Sequence, residues 1–211
     1  MSVRIDNQVE GSHDRCCTEI CFFPVKEAYI AEFYPDKNFG LVPFLYVSQY
    51  DCPTTPCPCP CRDDYRSLLQ FDLCSLGCNF IPPNSDICFA FLVLSIYRNE
   101  VPCDIEVCAH RILQPWKEFG VTWNNQPLFD SAFLDCTTVS PGQFGEIYFD
   151  ICALVKEWYS GCAANNGILL IGNEEINSLV GFYSSEYPDS RLWPRLVVGY
   201  RQDDCPPFPH R

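Results

Sequence analysis

The sequence predicts an all-β chain: a jelly-roll β-sandwich of about nine or ten strands, with one short connecting helix and extended N- and C-terminal arms. Three observations carry this. Short apolar and aromatic segments are separated by Pro-, Gly- and Asn-rich turns. A single segment repeats its apolar residues with a helical period. The stretch Trp116 to Pro127 holds two of the four tryptophans and closes on Asn124-Asn125-Gln126-Pro127, a turn that no helix or central strand tolerates. Large aromatic anchors beside Asn side chains that can bond the turn's own backbone read as a corner pinning one layer of a β-fold to another. Its only titratable groups are Lys117 and Glu118, so it offers no nucleophile–base pair.

The elements follow in order. Residues 1–26 read as an arm: a polar start, then Cys16, Cys17 and Cys21 before Phe22-Phe23-Pro24. The sandwich spans 27–200. Ala28-Tyr29-Ile30 is a strand, Pro35 to Gly40 a turn, and Phe44 to Val47 the next strand. Residues 51–62 form a Cys/Pro-rich loop, because its prolines cannot donate to a ladder. Strands follow at Tyr65 to Leu73, Ile87 to Tyr97, Asp104 to Leu113 and Gly145 to Asp150. Ile151, Leu154, Val155 and Trp158 then fall on one helical face, with Asp150 to cap it and Gly161 to end it. The last strands are Gly167 to Gly172, Leu179 to Tyr183 and Arg195 to Tyr200, and residues 201–211 form a tail.

Bulk properties narrow the function classes. A chain of 211 residues fits one sandwich and can bury roughly 70% of its unfolded surface. The net charge of −13 and the lack of any basic run oppose a nucleic acid or an anionic membrane surface as partner. No run is long enough to span a bilayer. The first residues are polar and carry no apolar signal region, so either a leader was removed or the protein leaves its cell by another route, and sixteen cysteines call for an oxidising setting. The expectation is an extracellular protein, or one on a spore or cell surface, that arrives without a recognisable signal peptide, for instance by lysis of the cell that made it.

Cysteine use sets the candidate sites. Cys16, Cys17, Cys21 and Cys205 lie in the arms and suit bridges to another subunit. Cys52, Cys57, Cys59, Cys61, Cys74, Cys78, Cys88, Cys103, Cys108, Cys136, Cys152 and Cys162 suit bridges within the chain. The comb Cys57-Pro-Cys59-Pro-Cys61 favours disulfides over zinc, because metal ligands want two or more residues between them so that the backbone can curl around the ion. No catalytic residue, metal or cofactor is assigned. His13, His110 and His210 form no triad pattern. Asp63-Asp64, Glu174-Glu175 and Asp203-Asp204 read as solvated loop charges, and Asp36 and Asn38 as turn formers rather than calcium ligands. For sugar binding, Tyr183, Tyr187 and Trp193 are the candidate platform.

Six segments in order resemble the bacterial and archaeal DNRLRE-type β-sandwich domains. They are Ala28-Tyr29-Ile30 with Pro35 to Gly40; Arg66 to Leu73; Val121 to Pro127; the helix region through Trp158 with Asn165 to Leu170; Phe182 to Glu186; and Pro194 to Val198. The resemblance implies a jelly roll of extracellular or surface proteins, some of them carbohydrate-binding modules and others assembly proteins. It carries over no catalytic residue. This chain differs in its cysteine load, its arms and its Cys-Pro loop. The expected function is therefore a non-catalytic subunit that assembles with copies of itself into a disulfide-stabilised filament or coat, through arm cysteines and strand addition. The alternative is a secreted carbohydrate-binding or adhesive module, with polysaccharide as partner and all bridges internal.

Overall fold

The computed structural model describes residues 17–51, 62–73 and 80–202. Cys16, Cys52, Cys57, Cys59, Cys61, Cys74, Cys78 and Cys205 lie outside them, as do most of the Cys/Pro-rich loop and of the C-terminal tail. The fold is all-β, as the segment pattern predicts. Its strands are β1 (Thr18–Phe22), β2 (Pro24–Ala31), β3 (Phe44–Asp51), β4 (Arg62–Phe71), β5 (Asp86–Asn99), β6 (Ile105–Ile112), β7 (Phe129–Val139), β8 (Gly145–Asp150), β9 (Ile168–Ile171), β10 (Val180–Tyr183) and β11 (Arg195–Arg201). One helix, α1 (Cys152–Ser160), follows β8.

Among the described residues every pairing between named strands is antiparallel, and the strand path runs β1-β11-β5-β10-β3-β4-β9-β6-β7, with β2 on β4 and β8 on β5. Strand β3 joins the two sheets. Its first half, Phe44 to Val47, pairs with β10, and its second half, Ser48 to Asp51, pairs with β4. The change of partner falls at Ser48, whose φ is +74°. A strand that turns between sheets in this way makes the corner of a sandwich.

Most of the core lies between the sheets. Leu45, Val47, Leu69, Phe71, Leu92, Leu94, Phe149, Phe182, Leu196 and Val198 are all buried there. Long apolar β5 pairs with β11, β10 and β8, and successive residues Leu92 to Ile96, which point to opposite faces, are all buried, so it reads as a nearly continuous hydrophobic run. Ile151, Leu154, Val155 and Trp158 add the helix to this core as its period requires. Ile151, not Asp150, is the N-cap position; Asp150 Oδ1 instead accepts the Cys152 N–H at 2.9 Å. Gly161 ends the helix in the left-handed conformation.

Two strands exceed the expectation. Residues Thr18–Phe22, read as part of an arm, form β1 and extend the sheet beyond β11. Residues Phe129–Val139 form β7, an edge strand with exposed Asp130, Ser131, Ala132 and Phe133. Neither strand shows a clear alternation, because each is paired on one side only and little of it faces the core. β7 also ties to β8 through side chains: the Thr137 hydroxyl donates to the Tyr148 carbonyl, and Asp135 Oδ2 accepts the Asp150 N–H at 2.7 Å.

The Trp116–Pro127 segment is a corner. Trp116 is buried with Ala28, Ile30, Leu68 and Leu169, and its indole N–H donates to the Asn166 carbonyl at 2.9 Å. Asn125 closes the turn on itself, accepting the Thr122 N–H at 2.7 Å and donating to the Gly120 carbonyl at 2.8 Å. Asn38 Nδ2 donates to the carbonyls of Glu118 and Val121, both at 2.7 Å. The backbones approach so closely here that a Cβ on Gly40 would sit 2.6 Å from the Glu118 carbonyl oxygen.

Candidate functional site

On β3, Phe44 and Tyr46 alternate with the core residues Leu45 and Val47, so both rings stand on the face turned away from the main core. On β10, Tyr183 follows buried Phe182 in the same way and lies opposite Phe44 in register. β5 brings Tyr97 to the other side of β10. Four half-buried rings thereby meet. Phe44 stacks on Tyr97 with centroids 4.1 Å apart, Tyr97 lies 5.4 Å from Tyr183, and Tyr183 lies 4.5 Å from Tyr187. The space comes from Gly181, where a Cβ would meet the Tyr97 ring at 2.6 Å and the Tyr46 ring at 3.1 Å.

The cluster continues toward β2 and β4. The Tyr46 and Tyr97 hydroxyls share a hydrogen bond. Tyr46 lies 5.1 Å from Tyr29, and Tyr29 stacks on Phe39 at 4.3 Å. Burial, then the bond to Tyr46, pushes the Tyr97 hydroxyl well above its ordinary value, so it stays a neutral donor. Arg98 borders the cluster at Tyr46, 6.0 Å from the centre of that ring, and pairs with Glu100. The surface is thus apolar in its ring faces and polar at its hydroxyl and guanidinium rim, which is what a sugar ring with one C–H face and equatorial hydroxyls can use.

Of the three residues read as a platform, the structure brings Tyr183 and Tyr187 together and separates Trp193. Trp193 packs edge-on against Phe23 at 5.7 Å, and its indole N–H donates to the Tyr187 carbonyl at 2.6 Å, bracing Tyr187 from the backbone side. Phe44 and Tyr97 escape sequence reasoning. Their segments carry a strand signal, but nothing local says that β10 will lie between them.

The turn carrying Tyr187 is tied down. The Ser184 hydroxyl donates to the Val42 carbonyl at 2.8 Å, and Ser185 donates both its N–H and its hydroxyl to Glu27 Oε1, the latter at 2.6 Å. Glu27 is only 3% exposed, and its Oε2 has no hydrogen-bond partner among the described residues. Burial pushes its carboxyl up to about 7; the Ser185 bonds act the other way, and neighbouring Glu118 adds to the rise.

Other candidates resolve into structure. Asp63 and Asp64, expected as solvated loop charges, are buried near the start of β4. Asp63 accepts the Phe33 N–H at 2.8 Å, which gives its charge a reason to be inside. Burial, reinforced by Glu174, pushes Asp64 up to about 6. Glu174 holds Arg66 in a two-point pair at 2.7 and 2.9 Å, while Arg66 donates to Gln126 and lies 4.7 Å above the Trp123 ring. Asn38 spends both ends of its amide on backbone, and Asp36 accepts from Asn124 at 2.9 Å, so the 35–40 turn is a structural joint. His110 is buried with Nδ1 3.0 Å from the Asp130 carbonyl.

The cysteines divide. Cys17, expected to reach a neighbouring subunit, is instead bonded to Cys88 of the same chain, because β1 lies in the sheet beside β11 and thus near the start of β5. Cys108 and Cys136 face each other across β6 and β7 and are bonded. Glu106 lies close to that pair, but a disulfide leaves no thiolate to bind a metal. Cys21 lies within β1. Cys103, Cys152 and Cys162, expected in bridges within the chain, are instead free thiols, Cys103 and Cys162 exposed and Cys152 half-buried. A separate groove of about 460 Å³ lies at the corner, lined by Val25, Lys26, Trp116, Lys117 and Phe119.

No helix among the described residues is long and apolar enough to cross a membrane. In comparisons with known proteins, the model of carbohydrate-binding module family 96 matches residues 18–200. No curated protein matches the chain.

Proposed function

The chain belongs to carbohydrate-binding module family 96, and on that premise we propose that it is a non-catalytic, extracellular module that binds polysaccharide through the Phe44, Tyr97, Tyr183 and Tyr187 rings. The finer resemblance to DNRLRE-type domains belongs to the same proposal. One observation supports the choice of site above all: four half-exposed rings gathered by three strands and one turn, with Tyr46, hydrogen-bonded to Tyr97, and Arg98 over the Tyr46 ring beside them. Rings in a core need no such polar rim, and scattered surface rings need no glycine to admit them.

In this reading the sugar's C–H face lies against the rings and its hydroxyls meet the tyrosine hydroxyls and Arg98. The fold supplies a preformed surface, so little ordering cost falls on binding. Disulfides Cys17–Cys88 and Cys108–Cys136 tie strands to the sandwich in an oxidising space. The test is retention on a panel of neutral and acidic polysaccharides in native affinity electrophoresis. Retardation by at least one glycan is expected, and its loss in a Tyr183→Ala/Tyr187→Ala variant that still melts cooperatively. A chain that no polysaccharide retards would sink the reading.

A second reading, assembly with copies of itself, draws on a different observation. Cys103 and Cys162 are exposed thiols, available to a neighbouring chain, and Cys16 and Cys205 remain candidates of the same kind. Gel mobility with and without reductant tests it; a monomer in both lanes removes it.

A further inference from the structure

Glu27 is buried, carries an oxygen with no partner among the described residues, and connects two regions that the sequence keeps far apart. We propose that Glu27 is a positioning residue for the aromatic cluster, a proton-operated latch that holds the Ser184–Tyr187 turn against β2 when neutral and loosens it when charged. Its consequence for binding rests on the glycan-binding reading above; the latch itself needs no glycan.

The geometry runs in one line. Glu27 Oε1 takes both donors of Ser185. Two residues on, the Tyr187 N–H donates to the Ser184 carbonyl at 3.1 Å, which folds the turn and sets the Tyr187 ring 4.5 Å from Tyr183. Ser184 anchors the near end of the turn on Val42 and Pro43. The far end, with Tyr187 itself, therefore depends on Ser185 and on the Trp193 bond to the Tyr187 carbonyl.

The charges around Glu27 oppose its ionisation. From the corner comes Glu118, whose Oε1 accepts the Glu27 backbone N–H at 2.9 Å. On β2 the adjacent charge is Lys26, whose ammonium is turned to the Trp116 carbonyl at 3.3 Å. β4 places Leu69 opposite Glu27, and the turn adds exposed Glu186. Among the described residues no cation contributes to the environment of the buried carboxylate. A proton on Oε2 removes the charge; without it, the Ser185 bonds, which favour the anion, do not offset the hydration lost by burial, and opening the turn restores that hydration. The folded carboxyl titrates near 7 against an ordinary 4.5. The latched state is therefore favoured at low pH and weakens as pH rises through about 7.

Amide hydrogen exchange of Ser185 and Tyr187 in the full chain at pH 5.5 and 8, corrected for intrinsic rates, tests the latch. The opening equilibrium is expected to rise by roughly tenfold or more over that range, since one pKa unit is a factor of ten. Glu27→Gln, which cannot ionise, is expected to flatten this dependence. Ser185→Ala, which keeps the carboxyl and removes one donor, is expected to open the turn at pH 5.5 as well. A flat wild-type ratio, or a Glu27→Gln variant that keeps the wild-type dependence, overturns the proposal. So does protection at pH 8 restored by millimolar calcium in the wild type but not in Glu27→Gln, which would put a cation where the proton is assigned. A latch that titrates in a chain retaining no glycan removes the binding reading alone; binding without titration removes the latch alone.

Discussion

The Trp116–Pro127 corner and the Phe44–Tyr97–Tyr183–Tyr187 cluster are both rich in aromatic and polar groups, and they differ in how those groups are spent. In the corner nearly every polar atom is committed. The Trp116 indole bonds Asn166, both ends of the Asn38 amide bond backbone, and Asn125 closes its own turn. In the cluster the rings touch mainly one another and remain half-buried, and the Tyr97 hydroxyl is bonded to another ring hydroxyl, that of Tyr46. Saturation marks a joint, and an unfinished surface marks a place for something else. The difference explains why a glycan is assigned to the cluster although the larger-looking sequence signal belongs to the corner.

Mutations can break that contrast or sharpen it. The largest effect is expected from Trp116→Ala, which removes a buried indole and its bond to Asn166. A loss of about 3–5 kcal/mol should appear in chemical denaturation, and glycan retention should fall only with the folded fraction. Asn38→Ala comes next, at about 2–4 kcal/mol, since it strands the Glu118 and Val121 carbonyls; a stability loss under about 0.5 kcal/mol would mean that the corner is not held this way. Tyr183→Ala should invert the pattern, with retention weakened roughly tenfold while the corner keeps its exchange protection. Equal damage to stability and binding would make the cluster a joint like the other.

Smaller effects are expected from protons and thiols. Glu27 and Asp64 have folded pKa values of about 7 and about 6, both above the ordinary carboxyl values. Each therefore contributes stability that is fully present below its ordinary value and is lost as pH rises through the folded one. The melting temperature should fall between pH 5 and 8, less steeply in Glu27→Gln; a rise would refute the assignment. Cys103→Ser should leave the melting temperature within a degree or so, because the side chain is exposed and unbonded. A larger drop would show that Cys103 supports the fold.

Much of the scaffold was legible. Alternation along Phe44 to Val47, the Ile151/Leu154/Val155/Trp158 face and Gly161 told where strands and the helix lie and which side of each is buried. β7 was not legible, because an edge strand with exposed Asp130 to Phe133 has no face to pattern. Asp63 and Asp64 misled because charge predicts exposure unless a partner is known, and the partner of Asp63 is the backbone of Phe33, thirty residues earlier. Tyr183 and Tyr187 were legible as candidates by their closeness in sequence; Phe44 and Tyr97 were not.

By itself the sequence determined the local facts: turn chemistry, residue periods, an anionic surface, a cysteine load suited to an oxidising space, and a corner recognisable by its Trp and Asn residues. Only the tertiary structure decided which strands are neighbours. That choice joined Cys17 to Cys88 rather than to another chain, set β10 between β3 and β5, and so gathered four rings and placed Glu27 beneath the turn that carries one of them. The reason is physical. A period records which way a side chain faces, a local property of the backbone, whereas strand order is fixed by the packing of the whole core, to which every segment contributes and which none encodes alone.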